Sequence, residues 1–397
     1  MQSVVIDKPY VPVPPHRGRI WPAILSRYVP RLLRKNHGVT KVECIHAERL
    51  QKSIESGHGV LIAPNHCRDE DPLVLGMLSR AVKSPFFIMA SWHLFMQDRM
   101  HTFLLRRAGA FSIYREGIDR AAVNTAIDIL QGAERPLIIF PEGFIARTND
   151  VVNDLLEGTA LIARTAAKRR AKADGGGKVL VHPVALRYHF QGDIDAAAGK
   201  VLDDIESRLT WRRQTGPLFD RIHKIGGALL ALKELEYLGE ADNGDVGPRL
   251  NKLANAILAP LEDQWLDRKH DDSVPTRVKR LRSAILPDMA KGSLDEAESQ
   301  RRWKNLADLY LAQQLFHYPP DYLRHNPSPE RILETVERLE EDLTDRIRVN
   351  GQIHATITVG EAIEVTGERP RGEADPLLLQ IRNQLVSLLG LEGNAQP

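Results

Sequence analysis

Cysteine is nearly absent from this 397-residue chain, which holds only two, Cys44 and Cys67. Two thiols make neither a disulfide framework nor a cysteine-built metal site, and so few fit a reducing compartment. Long apolar runs are missing as well. No window approaches the roughly 20 apolar residues that a membrane-spanning helix needs, so any membrane contact is expected to be peripheral. Met1 to Pro15 lacks the basic-then-apolar order of a secretory signal. Charge of one sign is scarce too. A net charge of +2 gives no global pull towards nucleic acid, and no such partner is expected. No Gly-x-Ser-x-Gly elbow occurs, which removes the usual signal for a serine nucleophile. At 43% apolar and 27% charged, the remainder is globular in composition, with core enough for one large domain or two ordinary ones.

What is present centres on one stretch. The apolar run Val60-Leu61-Ile62-Ala63 leads into Asn65-His66-Cys67-Arg68-Asp69-Glu70-Asp71-Pro72. A short run ended by turn formers reads as a buried strand feeding a loop. Asp71-Pro72 reads as a helix start, with Asp71 as N-cap. On one regular helix, residues five apart point in different directions, but across a strand–loop–helix corner His66 and Asp71 can meet. A carboxylate on one imidazole nitrogen leaves the other free as a base. The bland alternative is a helix cap beside a polar loop histidine, and taken alone the pair does not decide between them. Cys67 invites a thiol reading, but sequence neighbours rarely converge on one atom.

Along the chain, Pro9 to Pro15 reads as an extended arm. From Trp21 to Lys35, Trp21, Ile24, Leu25, Tyr28 and Leu32 recur at helical spacing, while Arg27, Arg31, Arg34 and Lys35 take another face. Such a helix, kinked at Pro30, suits an anionic membrane surface or the protein core equally well. Further apolar runs at 86–90, 137–140 and 179–186 alternate with helix-periodic segments. That alternation predicts an α/β fold with a mixed, largely parallel sheet flanked by helices, whose ligands bind beyond the carboxyl ends of the strands. Residues 193–350 are charged and helix-periodic, with Ile332, Val336, Leu339, Leu343 and Ile347 as one apolar stripe. Ile353, Ala355, Ile357 and Val359 then alternate as a strand, and Asp375-Pro376 opens a last helix. A lone strand–helix pair cannot bury itself. The expected division is therefore a 1–40 arm and basic helix, a 41–192 core, a 193–350 all-helical insertion, and a 351–397 return to the core.

In this order the blocks resemble the glycerolipid acyltransferase family, typified by bacterial lysophosphatidate (1-acyl-glycerol-3-phosphate) acyltransferases. The resemblance rests on His66 through Asp71, on Gly109 to Arg115, on Phe140-Pro141-Glu142-Gly143 and on Val181-His182-Pro183-Val184. It spans about residues 20–190, with a weaker echo at 353–389. Each block alone is common; four in order are not. The resemblance implies that His66 is the general base and Asp71 its orienting partner. It further implies that Arg115 binds the acceptor phosphate, that Glu142 and Gly143 shape the acceptor pocket, and that Pro183 sets a turn beside it. The co-substrate would be acyl-CoA or acyl-carrier protein, with no further cofactor and no metal. The acceptor would be a glycerol-phosphate or lysophospholipid hydroxyl, 1-acyl-glycerol-3-phosphate by type, met on the cytoplasmic inner face of a membrane. Two departures concern the acceptor. Phe144-Ile145-Ala146-Arg147 stands where Thr-Arg-Ser is common, so Arg147 would arrive two residues late, and Glu157 precedes Gly158 where a lysine is common. A non-phosphate acceptor, a non-catalytic lipid-binding scaffold and a hydrolase are the rival readings.

Overall fold

A computed structural model describes residues 10–115, 117, 119–173, 177–212, 214–267, 272–291, 294–318, 321–344, 346, 348–368 and 375–391. It contains two compact units. One joins Pro12–Tyr114, Asp119–Gln191 and Gly351–Pro397, and the other is built mainly from Gly192–Asn350.

The first unit holds the sheet. Its strands are β1 Val39–Ile45, β2 Gly59–Pro64, β3 Phe87–Ser91, β4 Ala110–Ile113, β5 Leu137–Ile138, β6 Val179–Phe190, β7 Ile353–Val359 and β8 Ile363–Glu364. They lie in the order β1-β7-β6-β2-β5-β3-β4, with β8 on β6. β7 enters parallel to β1 (Val42 opposite Ala355) and antiparallel to β6 (Leu186 opposite Ile357). The remaining neighbours of the main order are parallel. This is the mixed, largely parallel sheet that the alternation predicts. β2 is buried at every position, as a central strand covered on both faces must be. In β7 the burial alternates, with Ile353, Ala355, Ile357 and Val359 inward, the period-two signature of a strand. Leu61, Ala63, Phe87, Phe111, Leu137 and Val181 meet the helices Arg120–Gly132, Glu157–Arg170 and Pro376–Leu388 in one core.

At the amino end the structure replaces the single kinked helix by two, Ile20–Ser26 and Val29–His37. Pro30 falls in the first turn of the second, where its missing N–H costs no bond, so it opens a helix rather than bending one. The core takes Pro22, Val29 and Leu33, while Ile24, Tyr28 and Leu32 stay exposed.

The second unit contains the helices Ile194–Arg208, Leu218–Leu238, Val246–Trp265, Val274–Lys291, Glu296–Phe316, Tyr322–His325 and Pro329–Thr344. Of the stripe expected in the last of these, Val336 and Leu339 are buried, and Ile347 lies outside the described residues. Three arginines, Arg221, Arg249 and Arg277, each grip a glutamate that lies 15 residues earlier, Glu206, Glu234 and Glu262. The pairs recur every 28 residues (206, 234, 262 and 221, 249, 277). Aligned on the arginines, Ala228, Ala256 and Ala284 coincide, as do Leu230, Leu258 and Leu286. Residues 206–286 thus carry an internal helical repeat, which the sequence reading above does not anticipate. Among the described residues, no helix is long and apolar enough to cross a membrane.

Candidate active site

β2 and β5 are parallel neighbours, with Leu61 opposite Leu137 and Ile62 opposite Ile138. Their carboxyl ends therefore deliver two loops to one rim, His66 from the first and Pro141-Glu142-Gly143 from the second. A strand end leaves backbone groups without ladder partners, and here side chains take them up. Beyond β2, β6 runs on without a strand at that edge. Asn65 fills the gap, donating its Nδ2 to the Leu186 carbonyl (3.0 Å) and accepting the Leu186 N–H on Oδ1 (2.7 Å). Asn149 repeats the exchange two residues on, with both its bonds to the Tyr188 backbone at 2.7 Å. Two amides thus stand in for a continued strand.

The imidazole of His66 donates Nδ1–H to Asp71 Oδ2 at 2.8 Å. That bond assigns the tautomer and leaves Nε2 as the free ring nitrogen. The same Oδ2 accepts the N–H of Cys67 (2.8 Å) and of Arg68 (3.0 Å). Asp71 Oδ1 accepts the Tyr188 hydroxyl at 2.5 Å. Asp71 is sealed, whereas His66 keeps 8% of its surface open. The imidazole lies stacked on Phe140, ring centroids 3.9 Å apart.

Asp71 is not the N-cap that its place before Pro72 suggests. Glu70 occupies that position and the helix Asp71–Ala81 begins with Asp71 itself. The physical reason is competition. The loop amides and the imidazole claim the Asp71 carboxylate, so it turns back along the chain instead of forward onto the helix amides.

Glu142 is buried and holds the histidine from the other side. Its Oε1 accepts the His66 N–H (3.0 Å), while Oε2 accepts the N–H (3.2 Å) and Nδ2 (2.7 Å) of Asn153. Burial raises its carboxyl above the usual range, and the bonds from Asn153 and His66 pull partly against that rise. The His66 carbonyl in turn accepts the Ala146 N–H at 2.7 Å. Gly143 sits at φ +77°, where a Cβ would come within 2.3 Å of Leu156 Cδ1, so the turn after Glu142 needs glycine. Arg147 also has positive φ, +56°, and its guanidinium lies 3.7 Å from Asp69 in the His66–Asp71 loop. Arg115 is exposed in the turn that follows β4.

Pro183 does not form a turn. It lies inside β6 opposite Ala63. β7 pairs with β6 from Val184 onward and β8 with Leu180 and Val181, so Pro183 sits where the far edge of β6 changes partner. A proline costs little at such a break, and its carbonyl accepts the Gly360 N–H at 2.8 Å. The neighbouring His182 is sealed between Ser53 (2.9 Å) and the Gly360 carbonyl (3.1 Å), and burial lowers its pKa. Cys67 Sγ lies buried against Asp71 Oδ1 (3.8 Å) and the Leu186 carbonyl (3.9 Å).

The structure thus gathers His66, Asp71, Glu142, Gly143 and Arg147 at one rim, and places Pro183 within the adjoining strand. Sequence reasoning missed Asn65, Asn149, Asn153 and Tyr188. Asn65 carried a signal, as a polar residue ending an apolar strand. Tyr188 carried none, because an aromatic in a strand reads as core. Among the described residues, no three His, Cys, Asp or Glu side chains converge as a metal site requires.

Residues 41–187 match the family model described as Acyltransferase. Over 149 residues the chain is 31% identical to the 1-acyl-sn-glycerol-3-phosphate acyltransferase of Streptococcus pneumoniae (strain ATCC BAA-255 / R6), an alignment that covers 36% of this chain and 53% of that protein. The chain therefore matches about half the length of that curated relative. The family match runs from β1 into β6 and takes in the rim just described except Tyr188, one residue past its end. It ends before the helical repeat.

Proposed function

We propose that this chain moves a fatty acyl group from a thioester to the hydroxyl of a glycerol-phosphate or lysophospholipid, with His66 as general base, a reading supported by the match of residues 41–187 to the Acyltransferase family model. The observation that carries the reading is the 2.8 Å bond from His66 Nδ1 to Asp71, made by a histidine whose side chain keeps 10% of its surface exposed while Asp71 is sealed. An alcohol attacks poorly until a base takes its proton. In the reading, Nε2 removes that proton as the hydroxyl oxygen bonds to the thioester carbonyl carbon. Asp71 steadies the imidazolium that results. Collapse of the tetrahedral intermediate breaks the C–S bond, and the imidazolium returns its proton to the departing thiolate. No enzyme nucleophile is needed, in keeping with a Cys67 thiol turned towards Asp71 and the Leu186 carbonyl. Acyl-CoA or acyl-carrier protein is the proposed donor. Arg147 is proposed for the acceptor's phosphate, since a guanidinium matches phosphate with two parallel bonds. Glu142 and Gly143 would set the pocket's shape through the loop they hold.

Peripheral attachment to an anionic membrane face is part of the same reading. Ile20, Ile24, Tyr28 and Leu32 are exposed beside Met100, Phe103 and Leu104 of the helix Arg99–Ala108. Trp21 and Phe103 join the two groups, ring centroids 5.5 Å apart. No Asp or Glu occurs from Lys8 to Val42, while Arg27, Arg31, Arg34 and Lys35 are exposed on the same two helices or the turn between them. Such a face suits anionic lipid.

One experiment tests both parts. Transfer from an acyl thioester is measured with lysophosphatidate and a panel of other acceptors carried in anionic and in zwitterionic vesicles. The expected result is transfer to the phosphate-bearing acceptor, faster on anionic vesicles, and a loss of about 10³-fold in folded His66→Ala, the scale of a missing general base. Undiminished transfer by that variant removes His66 as the base. Thiol release that needs no acceptor makes the protein a hydrolase instead.

A further inference from the structure

We propose that Tyr188 is a positioning residue for the His66–Asp71 pair: its hydroxyl fixes the rotation of the Asp71 carboxylate and takes up part of its charge, and so sets the pH at which His66 works as a base. The inference rests on the acyl-transfer reading of the site.

The two oxygens of Asp71 have different duties. Oδ2 takes the imidazole and the loop amides, and Oδ1 takes the Tyr188 hydroxyl at 2.5 Å. The remaining contact of Oδ1 is the Cys67 thiol at 3.8 Å, a weak donor. Without the phenol, one buried oxygen would lack a strong partner and the carboxylate could pivot away from the imidazole. A short O–H···O⁻ bond is among the strongest a carboxylate makes. It also draws charge from the carboxylate that steadies the imidazolium.

Tyr188 is itself held firmly. Asn149 clamps its N–H and its carbonyl at 2.7 Å each, β7 pairs with it through Ala355, and Arg68 lies 5.5 Å over its ring. The residue is 2% exposed, so it acts through Asp71 and not on a substrate in solution. Burial, and after it the charges of Asp71 and Glu70, raise its phenol well above the ordinary tyrosine value. It stays a donor across any working pH. The other titratable groups around the pair are Cys67, Arg68, Glu70 and Glu142, with His37 facing Glu70 and Arg147 facing Asp69. None of these donates to Asp71 Oδ1 except the Cys67 thiol.

The test compares the full-length protein, Tyr188→Phe, and the protein with 3-fluorotyrosine incorporated at position 188, a stronger donor of nearly the same shape. In Tyr188→Phe, kcat is expected to fall about tenfold with KM nearly unchanged. The acid limb of kcat/KM should move up by about half a pH unit, because a carboxylate relieved of a donor favours imidazolium more strongly. Fluorotyrosine should move that limb down. Limbs that stay at the wild-type pH in both proteins, or a change in KM alone, overturn the proposal. If Tyr188→Phe does not fold, the fluorotyrosine protein decides. His66→Ala is measured alongside. Activity retained there defeats the base assignment, whereas activity lost there with wild-type profiles in both position-188 proteins defeats only the role of Tyr188.

Discussion

Two sets of buried carboxylates, one set in each unit, are held in opposite ways. In the helical repeat, Glu206, Glu234 and Glu262 each take a guanidinium through two bonds, so the charge is cancelled within the pair. In the sheet unit, Asp71 and Glu142 take backbone N–H groups, an asparagine, a phenol, a thiol and one imidazole. A carboxylate matched to an arginine has little field left to direct at a third group. Asp71, held otherwise by neutral dipoles, directs its charge at the His66 imidazole. The first arrangement builds a scaffold, whereas the second aims a carboxylate at the imidazole proposed as the base.

The comparison can be broken first in the repeat. Arg249→Leu should destabilise the protein by about 3 kcal/mol, because Glu234 is left charged and buried without its partner. The double variant Glu234→Met with Arg249→Leu should recover most of that loss in denaturant melts. The Arg249 bonds lower the Glu234 pKa, so the pair's stabilisation is complete above the ordinary carboxylate range and fades as pH falls through the lowered value. A single variant as stable as wild type would show that the pair is ornamental.

In the sheet unit the sign reverses. Burial raises Glu142, so its ionised form weakens the fold above the raised value, and stability is regained as pH falls through it. Glu142→Gln should abolish that gain on acidification. It should also cost about 1–2 kcal/mol at neutral pH, since an amide sets one donor against either the His66 or the Asn153 N–H. Unfolding curves from neutral to mildly acid pH check both statements. The smallest effect belongs to the exposed Lys233–Glu236 pair at 2.7 Å, where Lys233→Ala should shift stability by about 0.5 kcal/mol or less. A loss as large as that of Arg249→Leu would mean that burial is not what separates the two classes.

Much of the sheet unit was legible from local pattern. Unbroken apolar runs marked β2 and β6, strict alternation marked β7, and His66 and Asp71 stood out because their spacing suits a corner and no regular element. What was not legible depended on competition or distance. Asp71 looked like a cap, and only the packed loop shows that three groups outbid the helix for it. Tyr188 lies 117 residues from Asp71, and nothing local distinguishes it from a core aromatic. The apolar run 179–186 placed Pro183 in a strand while the family resemblance implied a turn, and a partner change on β6 lets the strand keep it. The repeat was present in the sequence throughout, but its identity rests on a few positions per 28 residues, which a window of one helix does not span.

The order of residues by itself determined where strands and helices form and which two side chains share the corner after β2, because helix and strand periods and the turn formers between them act over a few neighbours. Tertiary structure decided which donors reach Asp71, which carboxylates are neutralised and which face of the first helices stays outside. Those outcomes depend on groups brought together by sheet pairing across more than a hundred residues, and a buried charge settles on whatever partners that packing supplies.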